Sequence, residues 1–355
     1  MADRIRLADG GGGEATAELI QKVFWSRLQY PELLKGNDAS ILELANPLHL
    51  QDAICPSSTT GVLSQSRIAI TTDSFVVTPW RFPGGDIGKL AICGTVNDLT
   101  MMGAEILGLT IGFIIEEGFL ISDLETIVQS LASTALEADI KVVAGDTKVV
   151  NKGAADGIYI NTTGIGLVAS SIRLGGEMAR PGDQVIATGS MGDHGAAILL
   201  ARGELGIRGQ LESDVAPLNR MLMPLIQQFP GQIRVLRDPT RGGLATTLNE
   251  IAKQSAVSIR LEEERILIKP QVEGITSLLG LDPLYLANEG KAIVICEESI
   301  SEKLLGLLRQ VPLGREAAII GQVTSANPGL VSIRTKIGGE RILPMGSGEQ
   351  LPRIC

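Results

Sequence analysis

Strand and helix patterns alternate along the chain, break off at a linker, and start again, and this restart constrains the fold more than any single motif. IAITTDSFVV (68–77) reads as a strand. In 82–104, Ile87, Leu90, Ala91, Leu99 and Met102 recur at helical spacing. Ile106 to Ile115 is apolar enough for a buried strand, and Ser122 to Ala138 is an amphipathic helix capped by Ser122 or Asp123. Lys141 to Ala144 is a short strand running into a polar loop, Gly145-Asp146-Thr147-Lys148, and Gly157 to Val168 is another strand. Ser170 to Asp183, with Gly175-Gly176 and Pro181-Gly182, has the composition of a linker. After it come a strand at 185–188, helices at 196–202 and 244–254, and strands at 292–296, 317–323 and 330–335. The expected fold class is therefore mixed α/β in two domains, 1–169 and 184–345, followed by a tail, 346–355.

Composition narrows the function classes. A net charge of -9 argues against a nucleic-acid partner, which needs a clustered basic surface. No run of about 18 uncharged apolar residues is present, so no membrane span is expected. The opening MADRIRLADGGGG lacks the apolar segment of a signal peptide, and a cytoplasmic location is expected. Cys55, Cys93, Cys296 and Cys355 have no CxxC spacing, so neither zinc nor a disulfide framework is indicated; Cys93 and Cys296 read as small core residues.

Cys355 is different. The last fifteen residues, RILPMGSGEQLPRIC, contain a small, polar stretch, 346–350, with no helical or strand period. It reads as a mobile arm, and ten extended residues reach roughly 30 Å. The alternative is a frayed terminus that happens to end in cysteine. Pro352 stiffens the arm, and Arg353 puts a cation two residues from the sulfur, favouring thiolate. Prenylation needs three residues after the cysteine, and the sequence has none there.

The remaining chemistry lies in carboxylates at element ends: Asp38, Asp73, Asp86, Asp98, Asp146, Asp238 and Glu289. Magnesium takes hard oxygen ligands of this kind, although each residue singly can be only a cap or turn. Asp73 stands inside an apolar strand, which is costly unless it meets a cation or donor. Asp86, Asn97 and Asp98 mark the two ends of the 82–104 helix, and Asp238 precedes the helix at 244. Four glycines, including Gly11 and Gly12, stand before a helical pattern from about Ala15 to Leu28, and they fit a phosphate loop as well as a flexible leader. No P-loop is present. With two histidines, Ser–His–Asp catalysis has little material, and His194 alone reads as structural. Lys148 beside Asp146, and Lys291 beside Glu289, can each be a solvated ion pair.

The segments TTDSFVVTP (71–79), FPGGDIGKLAICGTVNDL (82–99), FIIEEG (113–118), GDTKVV (145–150), INTTGIG (160–166), GDHG (192–195), RDPTRGG (237–243), NEGK (288–291) and PRIC (352–355) together resemble the HypE family of [NiFe] hydrogenase maturation factors. The resemblance spans nearly the whole chain; at the N-terminus, ADGGGG stands in place of the family's usual histidine-containing glycine loop. It implies a fold like aminoimidazole ribonucleotide synthetase and selenophosphate synthetase, with the first domain dimerising through its sheet and ATP in the cleft. It further implies that HypF carbamoylates Cys355, that ATP with Mg2+ drives dehydration of the thiocarboxamide to a thiocyanate, and that cyanide passes to iron on a HypC–HypD complex. By position, Asp38, Asp73, Asp98 and Asp238 match the family's metal and phosphate carboxylates, and Lys148 and Glu289 match residues near the thiol. The nucleotide site is then expected to draw on Gly11, Gly12, Asp86, Asn97 and Asp146 as well. Glu289 is the first choice for the base that takes a proton from the amide nitrogen, and Lys148 the second. Another synthetase or small-molecule kinase of this fold, and a non-catalytic maturation scaffold, remain as alternatives.

Overall fold

Two sheets, one from each half of the chain, enclose a shared apolar core in this computed structural model, which describes residues 13–27, 34–43, 67–203, 209–346, 351 and 353–355. The first half contains α1 (Gly13–Leu19), β1 (Ser40–Glu43), β2 (Arg67–Phe75), the short pair β3 (Arg81–Phe82) and β4 (Gly85–Asp86), α2 (Ile87–Met101), β5 (Ala104–Glu116), α3 (Ile121–Ala138), β6 (Val142–Val150) and β7 (Ile158–Val168). Its five-stranded sheet has the order β1-β2-β7-β5-β6, antiparallel except for the parallel β5–β6 pair that α3 connects.

The second half contains β8 (Gln184–Ala187), α4 (Asp193–Arg202), α5 (Asn219–Gln228), β9 (Ile233–Arg237), α6 (Gly243–Gln254), β10 (Ser258–Glu262), α7 (Pro270–Leu279), β11 (Ile293–Cys296), α8 (Glu298–Leu308), β12 (Ala318–Thr324), β13 (Val331–Arg334) and β14 (Glu340–Ile342). They build a seven-stranded sheet of order β14-β13-β10-β12-β8-β11-β9. The 170–183 segment does not behave as a free linker. Ile172 and Ala179 are buried, and an apolar cluster runs from Ala69, Leu99 and Met101 of the first half into Leu218, just before α5, and Leu222 and Ile226 within it. Burial across the junction fixes the two halves against each other.

Helix α2 is the axis of this arrangement. Asp86 caps it, its Oδ1 accepting the Gly88 and Lys89 amides at 2.8 and 3.0 Å. Nearly every α2 residue is buried, because the helix lies between the first sheet, α3 and α5. Close approach depends on its glycines. A Cβ at Gly88 would come within 2.4 Å of the Ile127 carbonyl oxygen of α3, and one at Gly94 within 2.8 Å of the Phe75 ring.

The structure departs from the sequence expectations in two places that matter for the site. β6 extends to Val150, so Asp146 and Lys148 lie on a strand instead of in a loop, because β5 supplies backbone partners along that whole length. α3 begins at Ile121 with no side-chain cap from Ser122 or Asp123. Among the described residues no helix is long and apolar enough to cross a membrane. Gly88→Val should lower unfolding free energy by about 1–3 kcal/mol through overpacking against α3; unchanged denaturant midpoints would refute the tight α2–α3 contact.

Candidate functional site

Three acidic side chains from separate elements converge at the junction of the halves. Asp38 lies just before β1, Asp98 in the last turn of α2, and Asp238 directly after β9; one carboxylate oxygen of each lies within 4.8 Å of the others. Thr71 Oγ1, on β2, is 2.7 Å from Asp98 Oδ2 and 3.1 Å from the Asp38 carbonyl oxygen. Arg237 answers part of this charge, its Nε 2.9 Å from Asp38 and its Nη2 2.7 Å from Glu250. Asp38 Oδ2 is buried with no hydrogen-bond partner among the described residues.

Burial dominates the electrostatics. It pushes the Asp38 carboxyl up to about 8 despite the opposing Arg237 guanidinium, and Asp238 up to about 6. Asp98 is raised well above the carboxylate range by burial and then by the neighbouring Asp73, Asp238 and Asp38. Gathered, desolvated carboxylates of this kind cost free energy unless a cation joins them. An all-oxygen donor set with an unpartnered buried oxygen fits a hard divalent cation such as Mg2+, held by Asp38, Asp98 and Asp238. Asp73, expected as a fourth ligand, is outside that group of three and adjoins Asp98, and Thr95 Oγ1 donates to its Oδ2 at 3.2 Å.

Glu289 faces the same region. It is almost fully buried, its Oε1 has no hydrogen-bond partner among the described residues, and burial followed by the charges of Asp238, Asp214 and Asp73 raises its pKa well above the carboxylate range. Arg241 is the opposing cation. Asp214 Oδ1 and Oδ2 accept the amides of Glu289 and Gly290 at 3.1 and 3.3 Å, and so hold the backbone of this loop.

The end of the chain is docked into the junction. The Val76 amide donates to the Cys355 carbonyl oxygen at 3.0 Å and the Thr78 amide to that of Arg353 at 3.2 Å, an antiparallel pairing that prolongs the line of β2. Arg353 Nε donates to the Val76 carbonyl at 2.9 Å, and its Nη1 pairs with Asp156. Arg202 Nη2 donates to the Arg353 carbonyl at 3.0 Å, and His194 Nε2 lies 2.6 Å from that of Ile354. Ile354 is buried among Phe75, Phe82, Ile87 and Ile198, and Cys355 packs on the same core. At the root of the tail, the Glu14 amide donates to the Gly346 carbonyl at 3.0 Å. The expected free arm is thus anchored at both described ends; 347–350 lie outside the described residues, as do Gly11 and Gly12.

Other expected site residues take different places. Asp86 is committed to capping α2. Asn97 is buried: its Nδ2 donates to the Ala216 and Glu289 carbonyls at 3.1 and 3.4 Å, and its Oδ1 accepts the Leu218 amide at 2.8 Å. It therefore ties α2 to the second half, with its polar atoms engaged by backbone. Asp146 and Lys148 pair with each other at 2.7 Å and are exposed. Asp73 is level with Thr162, Ile111 and Gly145 across the sheet, so Asp146, one residue on, and Lys148 point to the opposite face from Asp73. Lys148 does not meet the Cys355 thiol of its own chain, because three inter-strand steps, roughly 14 Å, separate β6 from β2. Cys93 and Cys296 are buried, as expected. Sequence reasoning missed the roles of Arg202, Ser213, Asp214 and Arg237, which carry no motif of their own apart from Arg237 beside Asp238.

Two α/β halves with an acidic cluster at their junction define an AIR synthase-related protein, and the two models of that class match: the N-terminal domain over residues 57–168 and the C-terminal domain over 180–332. The carbamoyl dehydratase HypE of Cupriavidus necator is 46% identical over 352 residues, covering 99% of this chain and 95% of that protein. Two crystal structures are similar. HypE in complex with ATP has a TM-score of 0.78 and 46% identity, covering 98% of this chain and 99% of that one. HypE in the HypE–HypF complex has a TM-score of 0.82 and 44% identity, covering 92% and 99%. This chain belongs to the HypE carbamoyl dehydratase family.

Carboxyls with raised pKa values keep protons in the folded state that the unfolded chain releases. Their contribution to stability is therefore present near pH 4 and is lost as pH rises toward 8, the Asp38 value. A cation that binds the ionised cluster should reverse this. Millimolar Mg2+ is expected to raise the melting temperature more at pH 8 than at pH 6 in calorimetry. Asp98→Asn should abolish that gain while raising the ion-free melting temperature by roughly 1–3 °C; equal Mg2+ gains at both pH values, or a gain surviving in the variant, would count against the site.

Proposed function

We propose that this protein dehydrates an S-carbamoyl group carried on its own Cys355 to a thiocyanate, supplying cyanide for the iron of [NiFe] hydrogenases. The observation that carries this reading is the docked terminus, whose last three residues are each held through a main-chain oxygen. In the reaction the thiocarboxamide loses its oxygen as phosphate and both protons from its nitrogen, leaving a carbon–nitrogen triple bond on sulfur. ATP, when bound, supplies the phosphoryl group that turns the amide oxygen into a leaving group, with Mg2+ offsetting its charge.

The chain's own residues do the rest. Asp38, Asp98 and Asp238 would hold Mg2+. The pairing with Val76 and Thr78 fixes the backbone of the reacting residue, and the apolar seat of Ile354 holds the neighbouring residue against the core. Glu289 is the general base. Its raised pKa makes it, once ionised, a stronger acceptor for the amide proton than an exposed carboxylate.

Partners follow from the same chemistry. A thiol that receives carbamoyl outside and reacts inside must leave its seat, which fits HypF as the donor and a HypC–HypD complex as the acceptor of cyanide. The outer face of the first sheet exposes Ile114, Ile165 and Leu167 beside Asp146 and Lys148. An apolar open sheet face of this kind suits a second copy of the chain, and a homodimer would give Lys148 a role across the contact.

After incubation with HypF, carbamoyl phosphate and ATP, the C-terminal peptide should gain a carbamoyl mass and then lose water. Cys355→Ala should keep its fold and accept no carbamoyl group; an adduct persisting in that variant defeats the reading. Glu289→Gln should accept carbamoyl normally and dehydrate it slower by about a hundredfold, and an unchanged rate would return Glu289 to a structural role. Ile114→Glu with Leu167→Glu should shift the sedimentation mass from dimer to monomer; a mass unaltered by both changes would exclude this face as the contact.

A further inference from the structure

His194, which the reaction as derived leaves without a task, is hydrogen-bonded through both ring nitrogens. Nε2 lies 2.6 Å from the Ile354 carbonyl oxygen, which can only accept, so Nε2 carries the proton. Nδ1 must then accept from Ser213 Oγ, 2.7 Å away. Ser213 Oγ in turn accepts the Val215 amide at 3.1 Å, and the Ser213 amide donates to the Pro83 carbonyl at 2.8 Å. A backbone-anchored relay thus fixes the tautomer and the ring plane, and Phe82 stacks edge-on against the ring at 5.4 Å. Burial keeps the imidazole neutral, as this relay requires.

The residue after Ser213 is Asp214, which binds the amides of Glu289 and Gly290, with Lys291 Nζ 3.6 Å from its Oδ2. The contact is rigid. A Cβ at Gly290 would fall 1.8 Å from the Asp214 carbonyl oxygen, and the Ala216 amide closes the turn on the Glu289 carbonyl at 3.3 Å. One turn, Ser213 to Ala216, therefore touches the recognised tail through His194 on one side and the base-bearing loop on the other.

We propose that His194 is the positioning residue that recognises the docked tail, and that the Ser213–Asp214 turn ties this recognition to the placement of Glu289. The proposal rests on the reading that Cys355 carries the reacting group. The Ile354 carbonyl adjoins Cys355, so holding it fixes the backbone of the residue that carries the reacting group. When the tail leaves, the His194 proton loses its acceptor and the turn behind it loses a constraint. The loop that carries Glu289, bound to that turn through Asp214, then transmits tail docking to the base.

The test separates the two halves of the cycle in the full-length protein. Potassium cyanate carbamoylates a thiol by addition, R–SH plus HNCO giving R–S–CO–NH2, without ATP; ATP and Mg2+ then start a single turnover, followed by mass spectrometry of the C-terminal peptide. His194→Ala and Ser213→Ala should slow dehydration by on the order of ten- to a hundredfold while Cys355 takes up carbamoyl as fast as, or faster than, in the parent protein. His194→Gln, whose amide can donate in place of Nε2, should recover most of the rate. Dehydration unchanged in both alanine variants overturns the proposal. So does carbamoyl uptake falling in step with dehydration, or a glutamine variant as slow as alanine. Absence of dehydration in the parent protein would instead defeat the reading on which the proposal rests.

Discussion

Desolvated like charge is the constraint on which this structure turns. Asp38, Asp98 and Asp238 are brought together from a loop, a helix end and a strand end, with Asp73 and Glu289 in electrostatic reach. Arg237 and Arg241 are the cations that oppose them, helped by hydrogen bonds from Thr71 to Asp98 and from Thr95 to Asp73. Burying several carboxylates costs several kcal/mol per ion before compensation, so the apolar core on either side must hold the cluster against its own repulsion. α2 does this from beneath. Its glycines let it sit against α3 and Phe75, and its Asn97 clips it to the opposite half. A protein that stores this strain binds a cation and nucleotide phosphates with part of the cost already met by folding.

The tail is held by the same junction. Its terminal residues add a short strand beyond β2, take hydrogen bonds from both halves, and bury Ile354 in the core that packs α2. Main-chain pairing gives a fixed register without needing a large side-chain surface, which suits a segment that must also leave. Arg202 and His194 come from opposite ends of α4, so one rigid helix holds two successive carbonyls of the tail. Tail docking and the acidic cluster both depend on how the two halves are locked, and neither is a property of one half alone.

Much of the fold was legible in the order of residues. Period-two and helical patterns found β2, α2, β5, α3 and β7 nearly to their ends, since each has an unambiguous apolar face. β6 was read too short, because Gly145, Asp146 and Lys148 have loop-like chemistry and only pairing with β5 makes them a strand. Of the carboxyls singled out in the sequence, Asp38, Asp98 and Asp238 lie together at the junction, and Glu289 lies in electrostatic reach of Asp238. Asp86 and Asn97 were grouped with them as polar residues at the ends of one helix; a helix cap and a buried clip use the same polar atoms as a ligand site, and spacing cannot tell them apart.

The amino-acid sequence by itself determined the alternation of strands and helices, the aliphatic core, the inventory of carboxylates and the terminal thiol, because these follow from local periodicity and side-chain chemistry. Only the tertiary structure decided that three carboxylates share one site while Asp146 and Lys148 look out from the other face of the sheet. It alone decided that the tail rests inside, held through His194 and Arg202. The physical reason is that a hydrogen bond or an ion pair depends on distances set by packing between elements far apart in the chain, and no local pattern encodes them.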